Sequence, residues 1–251
     1  MENERIVVKG VILRATDTKD ADKMLTVLTG ERGKLSVVAR GARRRTSRIA
    51  AASQLFVYSE MVLCERRGWY MLDEAATLCQ FSALQNDLSQ FALASYFAEL
   101  TESLTQEEIE AHTALSLFLN ALYALETLQK PSALVKAAFT LRLLCLAGYE
   151  PLLDACAYCD EVTPQRPMLD VLQGILRCAG CGTGSGGLSM PLCPASLAAM
   201  RHIVSCEPKR LYSFTLPDDA LARLDNAAEA FCAAQLERGF RTLDYYKALQ
   251  I

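Results

Sequence analysis

A chain of 251 residues, 51% of them hydrophobic, with a formal net charge of −3, has enough core material for two small domains or for one with an appendage. The most apolar stretch, 134–147, contains Lys136 and Arg142 and is too short to span a bilayer. The charged opening Met1-Glu2-Asn3-Glu4-Arg5 has no secretory pattern, so a soluble cytoplasmic protein with reduced thiols is expected.

The charge is unevenly spread. Residues 1–50 carry twelve Lys/Arg against six acids, which leaves −9 for the rest. A basic end on an acidic remainder suits a chain whose first part meets a polyanion.

Residues 5–76 read as β. Runs rich in β-branched and aromatic residues fall at 6–13, 23–29, 34–39, 55–65 and 69–73, with turns at 30–33 and 67–68. Five short strands without intervening helices predict a closed oligonucleotide-binding barrel, the OB-fold, over residues 1–78. Between the third and fourth strands lies Arg40-Gly41-Ala42-Arg43-Arg44-Arg45-Thr46-Ser47-Arg48. Five arginines in nine residues belong at the surface. On an OB barrel they suit phosphate oxygens, with the Gly41 amide unobstructed for close approach. Tyr58, Trp69 and Tyr70 are expected to fill the barrel rather than stack on bases.

Beyond residue 76 the period becomes helical, at 87–104, 107–128 and 132–147. Gln129-Lys130-Pro131 separates the last two, and Gly148 is a C-terminal stop. The third helix is apolar nearly all round, as the central helix of a bundle would be. Its Lys136 and Arg142 are expected to snorkel or to pair with an acid such as Glu99 or Glu102. Further helices are predicted at 194–205, 218–236 and 240–249. The whole is an α+β protein whose second domain, 79–251, is helical and includes a cysteine-bearing segment at 154–188.

That segment holds Cys156-x-x-Cys159 and Cys178-x-x-Cys181 with eighteen residues between the pairs. The spacing fits a four-cysteine zinc knuckle or ribbon, and four sulfurs fill a tetrahedral shell with no place for water, so one structural zinc ion is expected. A thioredoxin-type pair would need a βαβ setting, and a disulfide framework would suit a small secreted chain. Cys193 is the one substitute ligand, and the other cysteines fall mostly in apolar segments. The glycine-rich 180–187 stretch has no preceding strand and reads as a connector. No nucleophile or Walker motif accompanies His112 and His202, so an enzyme is not expected.

Several of these residues carry a resemblance. Thr26-Val27-Leu28-Thr29 with Gly33-Lys34, then Val38-Ala39-Arg40-Gly41-Ala42-Arg43-Arg44 and Ser47-Arg48, resemble the RecO family of bacterial recombination mediators. So do Phe139, Leu141, Leu143-Leu144 and Gly148-Tyr149-Glu150-Pro151, leading into Cys156 and Cys159. The resemblance implies an OB-fold, a helical domain and a zinc element. It also implies a DNA repair and recombination protein that binds single- and double-stranded DNA and anneals complementary strands. Its implied partners are RecR and the C-terminal tail of the single-stranded DNA-binding protein SSB, with RecA loading as the outcome.

On that basis Arg40, Arg43, Arg44, Arg45 and Arg48 are the expected DNA-binding core, with Arg14 and Lys34 as lesser contacts. The SSB tail is acidic with an apolar end, so Lys136 or Arg142 is the expected cation at its receptor. A zinc-bearing adaptor, whose basic loop docks on an acidic protein instead of DNA, is the competing reading.

Overall fold

A computed structural model describes residues 5–18, 21–66, 68–182 and 188–250. The predicted turn residue Arg67 and most of the glycine connector, 183–187, lie outside the described residues. The chain divides into two compact units, 1–126 and 127–251.

In the first unit, strands β1 (Arg5–Asp17), β2 (Lys23–Thr29), β3 (Lys34–Ala39), β4 (Tyr58–Arg66) and β5 (Trp69–Cys79) close into a barrel in the order β1-β2-β3-β5-β4. Every pairing is antiparallel except that of β3 with β5. This is the expected five-stranded OB barrel. β1 serves both edges, pairing first with β4 and then with β2, and changes register between Ile12 and Arg14. Gly10 sits where it crosses, and a Cβ there would stand 2.6 Å from Val27 and 2.9 Å from the Leu28 carbonyl. The interior is filled by Val8, Ile12, Leu25, Val27, Leu35, Val37, Met61 and Leu63.

Three strand boundaries differ from the sequence reading. β1 runs to Asp17 rather than residue 13, because Arg14–Asp17 go on pairing with β2. β5 runs to Cys79, past Asp73-Glu74-Ala75-Ala76, because pairing with β4 outweighs the poor strand propensity of those residues. β4 begins at Tyr58 rather than residue 55 because Phe56 adopts a left-handed backbone (φ 64). That turn sends its ring toward Phe91 and Phe118, at centroid distances of 5.3 and 6.3 Å.

Those two rings belong to α1 (Leu88–Leu104) and α2 (His112–Glu126), which form part of the barrel's compact unit. Asp87 caps α1 by accepting from the Gln90 amide. The helix expected from residue 107 starts at His112 instead. Residues 106–111 form an irregular segment against the β2–β3 hairpin, turning at Glu108 (φ 57), with Lys34 N–H donating to the Gln106 carbonyl and Ala111 N–H to the Gly30 carbonyl.

In the second unit α3 (Ser132–Leu146), α4 (Pro194–Ser205) and α5 (Asp218–Leu236) pack on one another, and α6 (Arg241–Ala248) follows. α3 is buried on nearly every face, as its composition predicts. Between α3 and α4 the chain builds a three-stranded sheet of β6 (Pro167–Asp170), β7 (Ile175–Cys178) and β8 (Ser189–Pro191), ordered β7-β6-β8.

Candidate functional site

The basic segment leaves β3 at Arg40 and is pinned to the barrel at several points, among them a bond from the Arg43 amide to the Ala21 carbonyl. Ala42 and Ile49 insert into the barrel core, and the Gly41 amide donates to Asp22 Oδ1 at 2.7 Å. That last bond corrects one expectation, since the Gly41 N–H is already engaged and does not face a ligand. Turn hydrogen bonds from Arg44 N to Gly41 O and from Ser47 N to Arg44 O shape the loop between the pins. Arg40, Arg43, Arg44, Arg45 and Arg48 are all exposed. Arg43 pairs with Asp17 at 3.2 Å, whereas Arg40, Arg44, Arg45 and Arg48 have no carboxylate partner among the described residues.

The two lesser candidates lie differently. Arg14 binds Glu102 Oε1 at 2.6 Å, and Lys34 donates to the Glu102 carbonyl at 2.8 Å, so one residue of α1 engages both.

Beside the loop lies a groove of about 420 Å³ lined by Arg40, Arg44, Ser47, Arg48, Arg66 and Asp73, among others. Asp73 there is paired with Arg5 at 2.7 Å. Arg66, at the end of β4, escaped sequence reasoning because it stands apart from the arginine run. Among the expected core aromatics, Trp69 is 51% exposed, which corrects that assignment. Tyr70 packs partly on the core, and its hydroxyl donates to Glu108 Oε1 at 2.8 Å. Tyr58 is half-buried.

In the second unit the four cysteines converge. The Sγ atoms of Cys156, Cys159, Cys178 and Cys181 all lie within 4.8 Å of one another, with Cys159 and Cys178 at 3.7 Å. Metal–sulfur bonds of about 2.3 Å in a tetrahedron give a sulfur–sulfur edge of about 3.8 Å, so the cluster fits a single metal ion. Each pair sits on a knuckle closed by a left-handed residue, Asp160 (φ 58) after Cys159 and Gly182 (φ 65) after Cys181. A Cβ at Gly182 would fall 2.6 Å from the Tyr158 ring, so the two knuckles are in contact.

Cys156 is fully buried, and burial opposes its ionisation. Backbone amides of Tyr158, Cys178 and Cys159 outweigh this and draw its thiol down to about 6. Cys178 is pushed up to about 12, first by burial and then by the neighbouring sulfurs of Cys159 and Cys156. Thiols this close resist ionising together unless a cation sits among them. Cys193, the substitute candidate, is elsewhere engaged: its sulfur accepts from the Ser196 amide and caps α4.

Three side chains that the sequence did not mark hold this element in place. Arg201 of α4 donates to the carbonyls of Leu153, Asp154 and Val162, which flank the first knuckle. Gln235 of α5 donates to the carbonyls of Val171 and Leu172 in the β6–β7 turn. Arg177 joins the Cys181 carbonyl to the Ser189 hydroxyl. Guanidinium and amide donors on loop carbonyls leave no periodic trace in a sequence.

Lys136 pairs with acids, as expected of it, and those described are Asp225 and Glu229 of its own unit. The Lys136 ammonium, on a side chain only 8% exposed, lies 3.1 Å from Asp225 and 3.0 Å from Glu229, and Lys247 reaches Glu229 at 2.6 Å. Burial would lower the Lys136 pKa, but the Asp225 and Glu229 charges raise it, so it stays protonated. Arg142 donates to the carbonyls of Val204 and Cys206 at the end of α4. Lys136 is therefore paired within the second unit, while Arg142 is half-buried and bonded to carbonyls, with no carboxylate partner among the described residues.

Two family models cover the chain. The one described as Recombination protein O N terminal matches residues 1–81, and Recombination protein O C terminal matches 85–244.

The chain belongs to the RecO family.

Similar full-length proteins include the DNA repair protein RecO of Symbiobacterium thermophilum, 32% identical over 249 residues and 97% of each chain. The DNA repair protein RecO of Acetivibrio thermocellus is 27% identical over 240 residues, covering 96% of this chain and 95% of the relative. That of Anaeromyxobacter sp. strain K is 37% identical over 204 residues, 80% of this chain and 79% of its own. RecO membership assigns the chain to DNA repair and recombination, and the barrel is its OB-fold. Among the described residues of this RecO-family chain, no helix is long and apolar enough to cross a membrane.

Proposed function

We propose that this protein is a non-catalytic recombination mediator of the bacterial cytoplasm, associated with the nucleoid. It binds single- and double-stranded DNA through the barrel and anneals complementary SSB-coated strands. With RecR it promotes loading of RecA. The observation that carries this reading is the pinned basic loop, with four exposed arginines that have no carboxylate partner among the described residues.

Annealing requires two like-charged strands to approach, and a surface that neutralises phosphates without reading bases lowers that barrier. Arg40, Arg44, Arg45 and Arg48 supply that surface. Arg43, Arg14 and Lys34 contribute less because each already has a protein partner.

The metal that the cysteines suit best is one zinc ion held by Cys156, Cys159, Cys178 and Cys181. With all four positions filled by sulfur it closes the two knuckles on each other and supplies no Lewis-acid chemistry. Its role is to order the sheet between α3 and α4. The SSB tail is a partner in this reading, and of the two α3 cations Arg142, half-buried and without a carboxylate partner among the described residues, is the better placed to meet it.

The test is the annealing rate of two complementary oligonucleotides coated with SSB. Acceleration on adding the protein, lost when SSB lacks its tail, is the expected result. Failure to bind naked DNA at low salt would replace this reading with an adaptor whose basic loop docks on an acidic protein.

A further inference from the structure

The outer face of the barrel carries a feature that phosphate binding leaves unused. Strand register sets Met24 of β2 opposite Val38 of β3, and Val38 opposite Met71 of β5, so three partly buried apolar side chains form a row across the sheet. Trp69 stands two residues before Met71 and so on the same face of β5, with half its surface exposed. Arg40 follows Val38 by two residues, just past the end of β3, and Arg66 pairs with Trp69 across β4 and β5. Together these six residues line a groove of about 590 Å³. It runs into the groove beside the basic loop, since Arg40, Arg66 and Met71 line both.

The exposed ring and the apolar row beside it form one contiguous apolar patch between cations, the kind of surface that marks a binding site where a single exposed side chain would not. Here its flanks are two arginines with no carboxylate partner among the described residues. The flanking charge suits an anion, while the ring and the apolar row suit a flat, uncharged surface. A nucleobase joined to its phosphates offers both.

We propose that Trp69, over the Met24–Val38–Met71 row, is a stacking platform for an unpaired base, and that it makes this face selective for single-stranded over duplex DNA. The proposal rests on the DNA-binding reading above. In a duplex each base is stacked between its neighbours and has no free face to offer, whereas every base of a single strand has one. Arg40 and Arg66 take the phosphates on either side of the stacked base, and the connected groove leads the strand to Arg44 and Arg48. The loop then sets affinity for any polyphosphate backbone, and the platform sets strand preference.

Trp69 is the only tryptophan in the chain, so its emission reports this position alone. The full-length protein is titrated at low salt with oligothymidylate, with a duplex closed by hairpins at both ends, and with inorganic polyphosphate. Binding is followed in parallel by anisotropy or competition. Saturable quenching by the single strand, absent with the duplex and polyphosphate, is expected. Trp69→Ala should weaken single-strand binding roughly 5- to 150-fold, the range of one base–aromatic stack, and leave duplex binding unchanged. Trp69→Phe keeps a ring and should bind the single strand nearly as the parent does. Thermal melting of both variants checks that the fold is retained.

Single-strand binding without quenching, equal quenching by duplex or polyphosphate, or an unaltered Trp69→Ala would each overturn the platform while the DNA-binding loop stands. Failure to bind either form of DNA would remove the platform together with the function it rests on.

Discussion

The first unit displays a run of cations on one loop, and the second encloses one in its core. Four of the five arginines on the 40–48 loop face solvent with no acidic partner among the described residues, while Lys136 in α3 is buried between two carboxylates and Arg142 is bonded to backbone carbonyls. Residue type therefore says little about role. A cation on a pinned surface loop is available to another molecule, and one buried as Lys136 is has to be neutralised where it stands.

The largest effect is expected on the enclosed side. Cys156→Ser should remove the bound metal and lower the thermal stability of the second unit by a large margin, since apparent zinc binding energies in small structural sites are about 10–16 kcal/mol. Metal analysis with calorimetry checks this, and Cys193→Ser, which lies outside the cluster, should keep one metal per chain.

Next in size is Lys136→Met, which leaves Asp225 buried without its cation and Glu229 with Lys247 alone. A loss of about 3–5 kcal/mol is expected in denaturant unfolding. Its acid arm has a definite sign. Burial would raise the Glu229 pKa, but hydrogen bonds and charge from Lys247 and Lys136 hold it below its usual 4.5. Glu229 therefore contributes stability that is intact above that pH and is lost as pH falls through its lower folded value. The melting-temperature gap between the parent and Glu229→Gln should be steady near neutrality and should close in that acid range.

The smallest effect tests the displayed side. Arg43→Ala, Arg44→Ala and Arg45→Ala combined should weaken DNA binding for all sequences without altering stability. The salt slope should flatten by up to about 0.9 for each duplex phosphate that the variant no longer neutralises. Arg43 should contribute least, because Asp17 already holds it. An unchanged slope would remove these arginines from the interface.

Much of this architecture is legible in the sequence, and the reasons are local. β-Branched runs and glycine turns mark the barrel strands, Pro131 and Gly148 bracket α3, and the paired Cys-x-x-Cys spacing marks the metal cluster. What was not legible depends on distant partners. The late start of α2 follows from backbone bonds between residues 106–111 and the β2–β3 hairpin. The partners of Lys136 lie about ninety residues away, in α5. Trp69 reads as core because strand alternation gives two faces without saying which is inward, and only closure of β5 against β3 and β4 decides it.

The pinning of the basic loop has a consequence for speed. With Ala42 and Ile49 in the core and the Gly41 amide tied to Asp22, the backbone is already ordered before any strand arrives. Only arginine rotamers remain to be frozen, at about 0.5–1.5 kcal/mol each, and each can be released alone. A strand held by several small, separable attachments can shift by one nucleotide without leaving the surface. In the proposed annealing role, that shuffling is what lets two strands search for their register.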